Sequence, residues 1–506
     1  MNLNSNINRK LEITKLGLMN INQSIKKNFI MNAILTMSTF IFPLITFPYV
    51  SRVLLPPGTG KISFATSVIS YFSILANLGI PTYGIRACAK VRDNREELTR
   101  TAHELLAINV IMSAVSYVLL ALGLIFVPRL QEEKLLTVVI SLSIALTSIG
   151  MEWLYKALEQ YTYITVRSIV FKAIGVAAMF LLVHSETDYV LYGGITIFAS
   201  SASGILNLIN AHKYIGFRPV GNYDLKRHLK PVMIFFAMAC ATTIYTHLDT
   251  AMLGFMTTDT DVGYYDAAVK IKGILVSIVV SLGTVLLPRA SYYVEHGDMD
   301  EFRRITNKAL NFVMLLAVPL SVFFMLFARE GILLLSGAAY EGSIVPMQVI
   351  MPTLLLIGIT NILGIQILVP TGREKKVLHS VIAGAVIDII INALLIPQMK
   401  STGAAIGTVV AEFVVLVVQY RALRGEVKET FLKIHYLNIC VGVLLGIAAS
   451  FWVKTLGFGN FITLAMAAVL FFGVYGAFLL LRKEPMATEM MNLVIGKVKA
   501  VFRGKG

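Results

Sequence analysis

Long apolar stretches broken by isolated polar residues recur along the whole chain. Fourteen of them are long enough to cross a bilayer as helices, which takes about 20 residues. They cover 28–50, 61–83, 102–127, 135–158, 161–183, 188–211, 229–250, 264–288, 304–327, 345–369, 376–396, 402–423, 432–454 and 459–481. No connection is long enough for a separate soluble domain; the longest, near 212–228, carries Lys213, Arg218, Lys226 and Arg227. In the eighth stretch Asp266, Lys270, Ser277, Ser281 and Thr284 fall on one helical face, spaced by three, four or seven residues. A lysine inside a span costs about 2.5–3.5 kcal/mol on insertion scales and marks a polar cavity, so Lys270 is read as a cavity cation. Lys272 lies about 200° further round the helix. It is expected to snorkel or to pair with a neighbouring helix.

A similar pattern opens about 203 residues earlier, where Gly60-Lys61-Ile62-Ser63-Phe64-Ala65 aligns with Gly263-Tyr264-Tyr265-Asp266-Ala267-Ala268. The earlier span carries Ser63, Ser67, Ser70 and Asn77 on one face, and both spans run into Leu-Gly, a proline and a cation (Arg86 and Arg289). The chain therefore reads as two homologous halves whose matching hairpins face one another across a central cavity. The first span adds Asn32, Thr36, Thr39, Pro43 and Thr46, with Pro43 and Pro48 predicting a bend or break and Arg52 at its outer end. The seventh repeats the theme with Thr242, Thr246 and Asp249. Single hydroxyls in membrane helices often serve only to join helices. Four coordinated stripes in two matched hairpins favour a cavity.

Composition fits this reading. Hydrophobic residues make up 56%, charged residues 14%, and the mean hydropathy is +0.74. A soluble domain is nearer a quarter charged. The net charge of +15 does not call for nucleic acid: 34 of the 44 Lys and Arg fall in segments assigned to the cytoplasm, seven fall outside and three lie within spans. That bias predicts both termini inside. Residues 1–27 are polar and basic, with no sign of a cleavable leader, and 483–506 read as a basic amphipathic segment on the cytoplasmic leaflet. Cys88, Cys240 and Cys440 are isolated and are expected to be packing residues.

Three acids and one further lysine complete the candidates. Asp388, one turn before Asn392, and Glu412 lie in the eleventh and twelfth spans, and Asp249 ends the seventh. Each is a candidate for ion coupling, with an internal salt bridge or a helix-end acid as the plainer reading. Lys172 lies mid-span in the fifth, either lining the cavity or paired with a buried acid. Glu152 and Lys156, spaced i, i+4, are expected to pair, and the Trp and Tyr of that turn suit a membrane interface. His184, His247 and His296 form no cluster with acids, and no Gly-rich phosphate loop, metal set or nucleophile–base arrangement appears. The sequence therefore suggests a transporter, with no catalytic residue, metal site or cofactor.

The run EWLYKALEQYTYITVRS at 152–168 closely resembles a signature of bacterial polysaccharide repeat-unit flippases, the Wzx/RfbX type of the MOP exporter superfamily. FPYVSRVLLPPGTGKISFA, Asp188-Tyr189, NILGIQILVPTGREKK and IPQMKSTGAAIGTVVAE resemble the same family in the expected order. The resemblance implies an all-α polytopic protein of about 14 transmembrane helices: two six-helix bundles in a V around a cationic cavity, plus two appended helices. On that plan 28–227 is the N-lobe, 228–423 the C-lobe, 424–482 the appended pair, and 1–27 and 483–506 the cytoplasmic ends. The implied cargo is an undecaprenyl-diphosphate-linked oligosaccharide, flipped from the inner to the outer leaflet of the bacterial plasma membrane by alternating access. Membrane lipids, a polysaccharide polymerase and glycosyltransferases are the expected partners, and H+ or Na+ the coupling ion. Arg52, Arg86, Lys172, Lys270 and Lys272 would meet the diphosphate, and Ser63, Ser67, Asn77 and Ser277 the sugars. Two rivals share the fold: a cation-coupled multidrug exporter, which should prefer acids in its cavity, and a lipid II flippase, whose arginine-rich first helix is missing here. A polysaccharide polymerase or ligase would be expected to carry a large outer loop, and the outer loops here are short.

Overall fold

A computed structural model describes residues 3–489 and 491–492, with side chains followed from Lys27 apart from a few positions inside helices. Helices account for the regular structure throughout, and no strand occurs among the described residues. Among the described residues ten helices are long and apolar enough to cross a membrane, or eleven with the bent pair Ala338–Ile350 and Thr353–Leu368 taken as one span. The expected fourteen differ partly because two helices run on without a loop. Leu3–Asn77 has 75 residues and Glu374–Leu432 has 59. At about 1.5 Å per residue either far exceeds a hydrocarbon core of about 30 Å.

Each of these long helices contains one break. In the first, helical backbone passes through Pro43 and Pro48, where a bend or break was expected, and the break itself falls at Leu55 (φ 57°, ψ 176°). Pro56 accounts for the extended ψ of the residue before it. In the second the break is Lys400 (φ 51°, ψ −128°). A third interruption, at Leu78 and Gly79 (φ 45° and 74°), ends the second predicted span early and starts the helix Ile80–Lys90.

The chain forms two compact units, residues 1–47 with 65–243 and residues 48–64 with 244–506. In the first, the helix Arg95–Phe126 shows which solvent the protein meets. Asn109, Ser113 and Ser116 are buried, whereas Val110, Ile111, Val115, Val118 and Leu122 are exposed. Water would not tolerate such an inverted helix, but lipid does. The buried hydroxyls are matched within the unit: Ser113 Oγ donates to Ser148 Oγ at 2.7 Å and Ser116 Oγ to the Phe72 carbonyl at 2.8 Å.

The core of this unit gathers Ile80, Cys88, Leu98, Leu105, Met151, Trp153, Leu154 and Val232. Trp153 and Tyr155 are thus core residues and not interface anchors, a correction to the sequence expectation. Around them Lys156 pairs with Glu152 at 2.8 Å, buried Arg167 donates to Asn207 Oδ1, and the Tyr155 hydroxyl donates to the Asn207 carbonyl at 2.5 Å. The motif that carries the family resemblance here knots three helices together. Cys88 is buried as expected, Cys240 is half-buried, and Cys440 is exposed.

One ionic knot in this unit escaped the sequence reading. Glu104, wholly buried, accepts from Arg227 Nε and Nη2 at 2.9 and 2.6 Å, from His228 Nε2 at 2.7 Å and from the Asp224 amide at 2.7 Å. Removing one partner of a buried ion pair costs about 3–5 kcal/mol, because the other is left uncompensated. Glu104→Ala is therefore expected to lower the melting temperature of the purified protein far more than Glu96→Ala, whose carboxylate is mostly exposed. Equal melting temperatures would refute the assignment.

In the second unit two glycines let backbone approach backbone closely. A Cβ on Gly60 would lie 1.8 Å from the Asp259 carbonyl oxygen, and one on Gly263 would lie 2.1 Å from that of Pro56. Each glycine rests on the backbone four residues before the other, so the aligned openings of the two hairpins pack reciprocally.

Candidate functional site

Asp249 lies at the centre of the second unit's polar core. The Tyr265 and Thr408 hydroxyls donate to its Oδ2 at 2.5 and 2.7 Å, and Asn392 Nδ2 donates to its Oδ1 at 2.6 Å. Asn392 Nδ2 also reaches Asp388 Oδ1 at 3.2 Å. Asp249, Asp388, Asn392, Thr408 and Glu412 are all buried. Lys272 lies within electrostatic reach of Glu412, Asp249 and Asp388 without forming a direct ion pair among the described residues, and Tyr245 stands beside Glu412. Gly407 makes the crossing possible, since a Cβ there would lie 2.2 Å from Asn392 Oδ1.

Three acids proposed singly from sequence thus meet in one place, with the lysine assigned to the opposite face of its helix. Lys272, expected to snorkel or to pair with a neighbouring helix, is half-buried and within electrostatic reach of these acids. Tyr265 and Thr408 were not singled out, although Tyr265 lies one residue before Asp266 in the repeat. Among the described residues no group of three or more His, Cys, Asp or Glu is arranged to hold a metal ion. Both Asp249 oxygens instead accept hydrogen bonds from protein donors.

The other candidates are more dispersed. Lys270 Nζ bonds Asp266 Oδ2 at 2.5 Å, one turn back on its own helix, so its charge is already balanced. Arg52 donates to the carbonyls of Pro48, Leu334 and Leu335, the last at 3.1 Å, and so closes the end of the helix Ala328–Ser336. Its guanidinium does structural work there. Ser63 is half-buried, and Ser277 bonds back to the Ile274 carbonyl at 2.6 Å.

In the first unit Lys172 Nζ donates to Ser38 Oγ at 2.8 Å and lies 5.7 Å from the centre of the Phe42 ring. No carboxylate touches it among the described residues. Asn77 bonds back to the Ser73 carbonyl at 2.8 Å, and Ser67 is buried with no hydrogen-bond partner among the described residues. Arg86 stacks on Phe235, 5.9 Å from the ring centre. Thr36, Thr39 and Ser70 also bond to carbonyls of their own helices. Much of the hydroxyl stripe therefore satisfies helix backbone. The Thr284 side chain and the basic segment from Leu493 onward lie outside the described residues.

The sequence profile of the family described as "Polysaccharide biosynthesis protein" matches residues 25–294, and that of MatE matches residues 234–394. An Escherichia coli (strain K12) protein named "Putative O-antigen transporter" is 24% identical over 400 residues, covering 78% of this chain and 96% of its own length. A Haloferax volcanii protein named "Probable low-salt glycan biosynthesis flippase Agl15" is 23% identical over 328 residues, covering 62% of this chain and 66% of its own. Among solved structures, the lipid II flippase MurJ in its inward closed conformation aligns with a TM-score of 0.62 and 16% identity, over 86% of this chain and 98% of its own. That similarity extends to the fold.

Proposed function

Because the chain belongs to the polysaccharide biosynthesis protein family, we propose that it is a flippase for lipid-linked oligosaccharides and not an enzyme. Its cargo on this reading is an undecaprenyl-diphosphate-linked repeat unit, moved from the cytoplasmic to the outer leaflet of a bacterial plasma membrane by alternating access. The names of its relatives support the cargo class. The observation that carries the reading is charge kept inside apolar helices, with Lys272 among Asp249, Asp388 and Glu412 in one unit and Lys172 on Ser38 in the other. Such placements cost insertion energy and are retained where a charged cargo or ion passes. The acidic group is the proposed coupling element for H+ or Na+, both termini are assigned to the cytoplasm, and a polymerase and glycosyltransferases are the proposed partners.

Complementation of a bacterium lacking its own repeat-unit flippase tests this. The wild type and Lys270→Arg are expected to restore surface polymer, whereas Lys270→Ala, present in the membrane at the same level, restores at least tenfold less. If Ala matches the wild type, the pair with Asp266 is structural and Lys270 leaves the cargo path. If the wild type restores no polymer in strains spanning several repeat units, the flippase reading fails.

A further inference from the structure

We propose that a pocket in the first unit, between the helices Ile80–Lys90 and Lys226–Met256, binds the phosphate-bearing headgroup of a lipid as a loading site for the cargo. The inference rests on the flippase reading for the identity of that lipid.

The pocket follows from how the short helix is placed. Its start is fixed by Gly79, where a Cβ would lie 2.4 Å from the Phe236 amide nitrogen, and its back is fixed by Gly84, where a Cβ would lie 2.9 Å from the Trp153 indole. Ile80, Gly84 and Cys88 are thereby buried in the core. Tyr83, Arg86, Ala87 and Lys90, spaced i, i+3, i+4 and i+7, are left on the opposite face. With Pro231 and Phe235 they enclose about 240 Å³.

The charges here are unbalanced. Arg86 and Lys90 stand one turn apart, a like-charge spacing that disfavours a helix unless an anion lies between them. Neither makes an ion pair among the described residues, and the Arg86 guanidinium lies over the Phe235 ring. The buried acid of this unit's ionic knot, Glu104, is already taken up by Arg227 and His228. His228 Nδ1 in turn shares a hydrogen bond of 2.8 Å with the Tyr83 hydroxyl, which holds that ring at the pocket wall. One guanidinium, one ammonium and an aromatic wall match a phosphate or diphosphate joined to a hydrocarbon chain: forked donors for the oxygens, and Phe235 and Pro231 for the first carbons. The bias of Lys and Arg puts this end of the span on the cytoplasmic side, where such a lipid is made ready for export.

The full chain in nanodiscs of phosphatidylcholine, titrated separately with undecaprenyl diphosphate, phosphatidylglycerol and inorganic diphosphate, tests the proposal. Native mass spectrometry would read occupancy, with the fluorescence of Trp153, which packs against the buried face of the short helix at Gly84, as a second signal. Undecaprenyl diphosphate is expected to bind at least tenfold more weakly to Arg86→Gln/Lys90→Gln than to wild type. Arg86→Lys/Lys90→Arg, which keeps both charges, should bind within about threefold, and Lys375→Gln/Lys376→Gln should match the wild type. A loss confined to the lipid diphosphate identifies the cargo, and an equal loss for phosphatidylglycerol identifies anionic headgroups in general. Binding of inorganic diphosphate as tight as that of the lipid overturns the lipid assignment. Unchanged lipid binding in the Gln pair overturns the pocket altogether. If binding depends on the pair while no strain is complemented, the pocket stands and the flippase reading falls.

Discussion

Gly263→Ala is expected to remove most of the folded protein from the membrane, and Gly60→Ala to do the same. In an exposed helix interior this exchange gains about 0.5–1 kcal/mol. Here the added methyl would lie 2.1 Å from the Pro56 carbonyl oxygen in one case and 1.8 Å from that of Asp259 in the other. Backbone cannot swing aside as a side chain can, so the two segments would have to separate by more than an ångström. Overpacking of a well-packed contact costs about 1–3 kcal/mol, with backbone clashes towards the upper end. Separation would also disturb what is fastened beside it: the Thr59 hydroxyl shares a hydrogen bond of 2.7 Å with the Tyr340 hydroxyl, and Gly254 lies against the Phe64 ring. Size-exclusion chromatography of a fluorescent fusion would measure the monodisperse fraction. Gly273→Ala and Gly476→Ala are controls, since a Cβ at either position meets nothing within 4 Å. A normal peak for Gly263→Ala would show that the reciprocal contact is slack.

This contact also shows how far the sequence could be read. Apolar runs, helix class and the membrane setting are written in composition and periodicity. The alignment of Gly60 with Gly263 is written as a weak repeat, and the fold turns it into packing. Partnerships across long separations are not written there. Arg52 reads as a free cation because the carbonyls that use it belong to Leu334 and Leu335, more than 280 residues away. Glu104 and His228 meet across 124 residues, and nothing in either segment announces the other. Hydroxyl stripes mislead for another reason: a Ser or Thr in a helix can satisfy itself on the carbonyl three or four residues back, so periodicity alone does not separate a polar cavity from self-capping. The acids were the most informative signal. A carboxylate amid apolar residues has few structural excuses, and all three gather around Tyr245, Tyr265 and Lys272.

Asp249→Asn is expected to abolish transport while leaving the protein in the membrane, and Asp249→Ala to lose both. The carboxylate accepts from Tyr265, Thr408 and Asn392, three bonds to a charged group worth about 1.5–3 kcal/mol each. Alanine would remove the acceptor these three buried donors share and leave Asn392 on Asp388, Thr408 on the Ala404 carbonyl and Tyr265 on the Thr408 hydroxyl, at up to about 1–3 kcal/mol for each donor left poorly matched. Even part of that sum is a large fraction of the stability of a typical domain, about 5–15 kcal/mol. Asparagine keeps the shape and one acceptor oxygen, so the fold should survive with a lower melting temperature. What it removes is the group's ability to exchange a charge with an ion or proton. Polymer export by Asp249→Asn, and by Asp388→Asn beside it, is therefore expected to fall at least tenfold. Glu412→Gln should fall less, because Tyr245 and Lys272 still flank the site. Export read in cells after collapse of the proton gradient, and separately after removal of sodium, would identify the ion. If Asp249→Asn exports polymer as the wild type does and keeps the same ion dependence, the acidic cluster is a structural knot like that around Glu104, and coupling must be sought elsewhere.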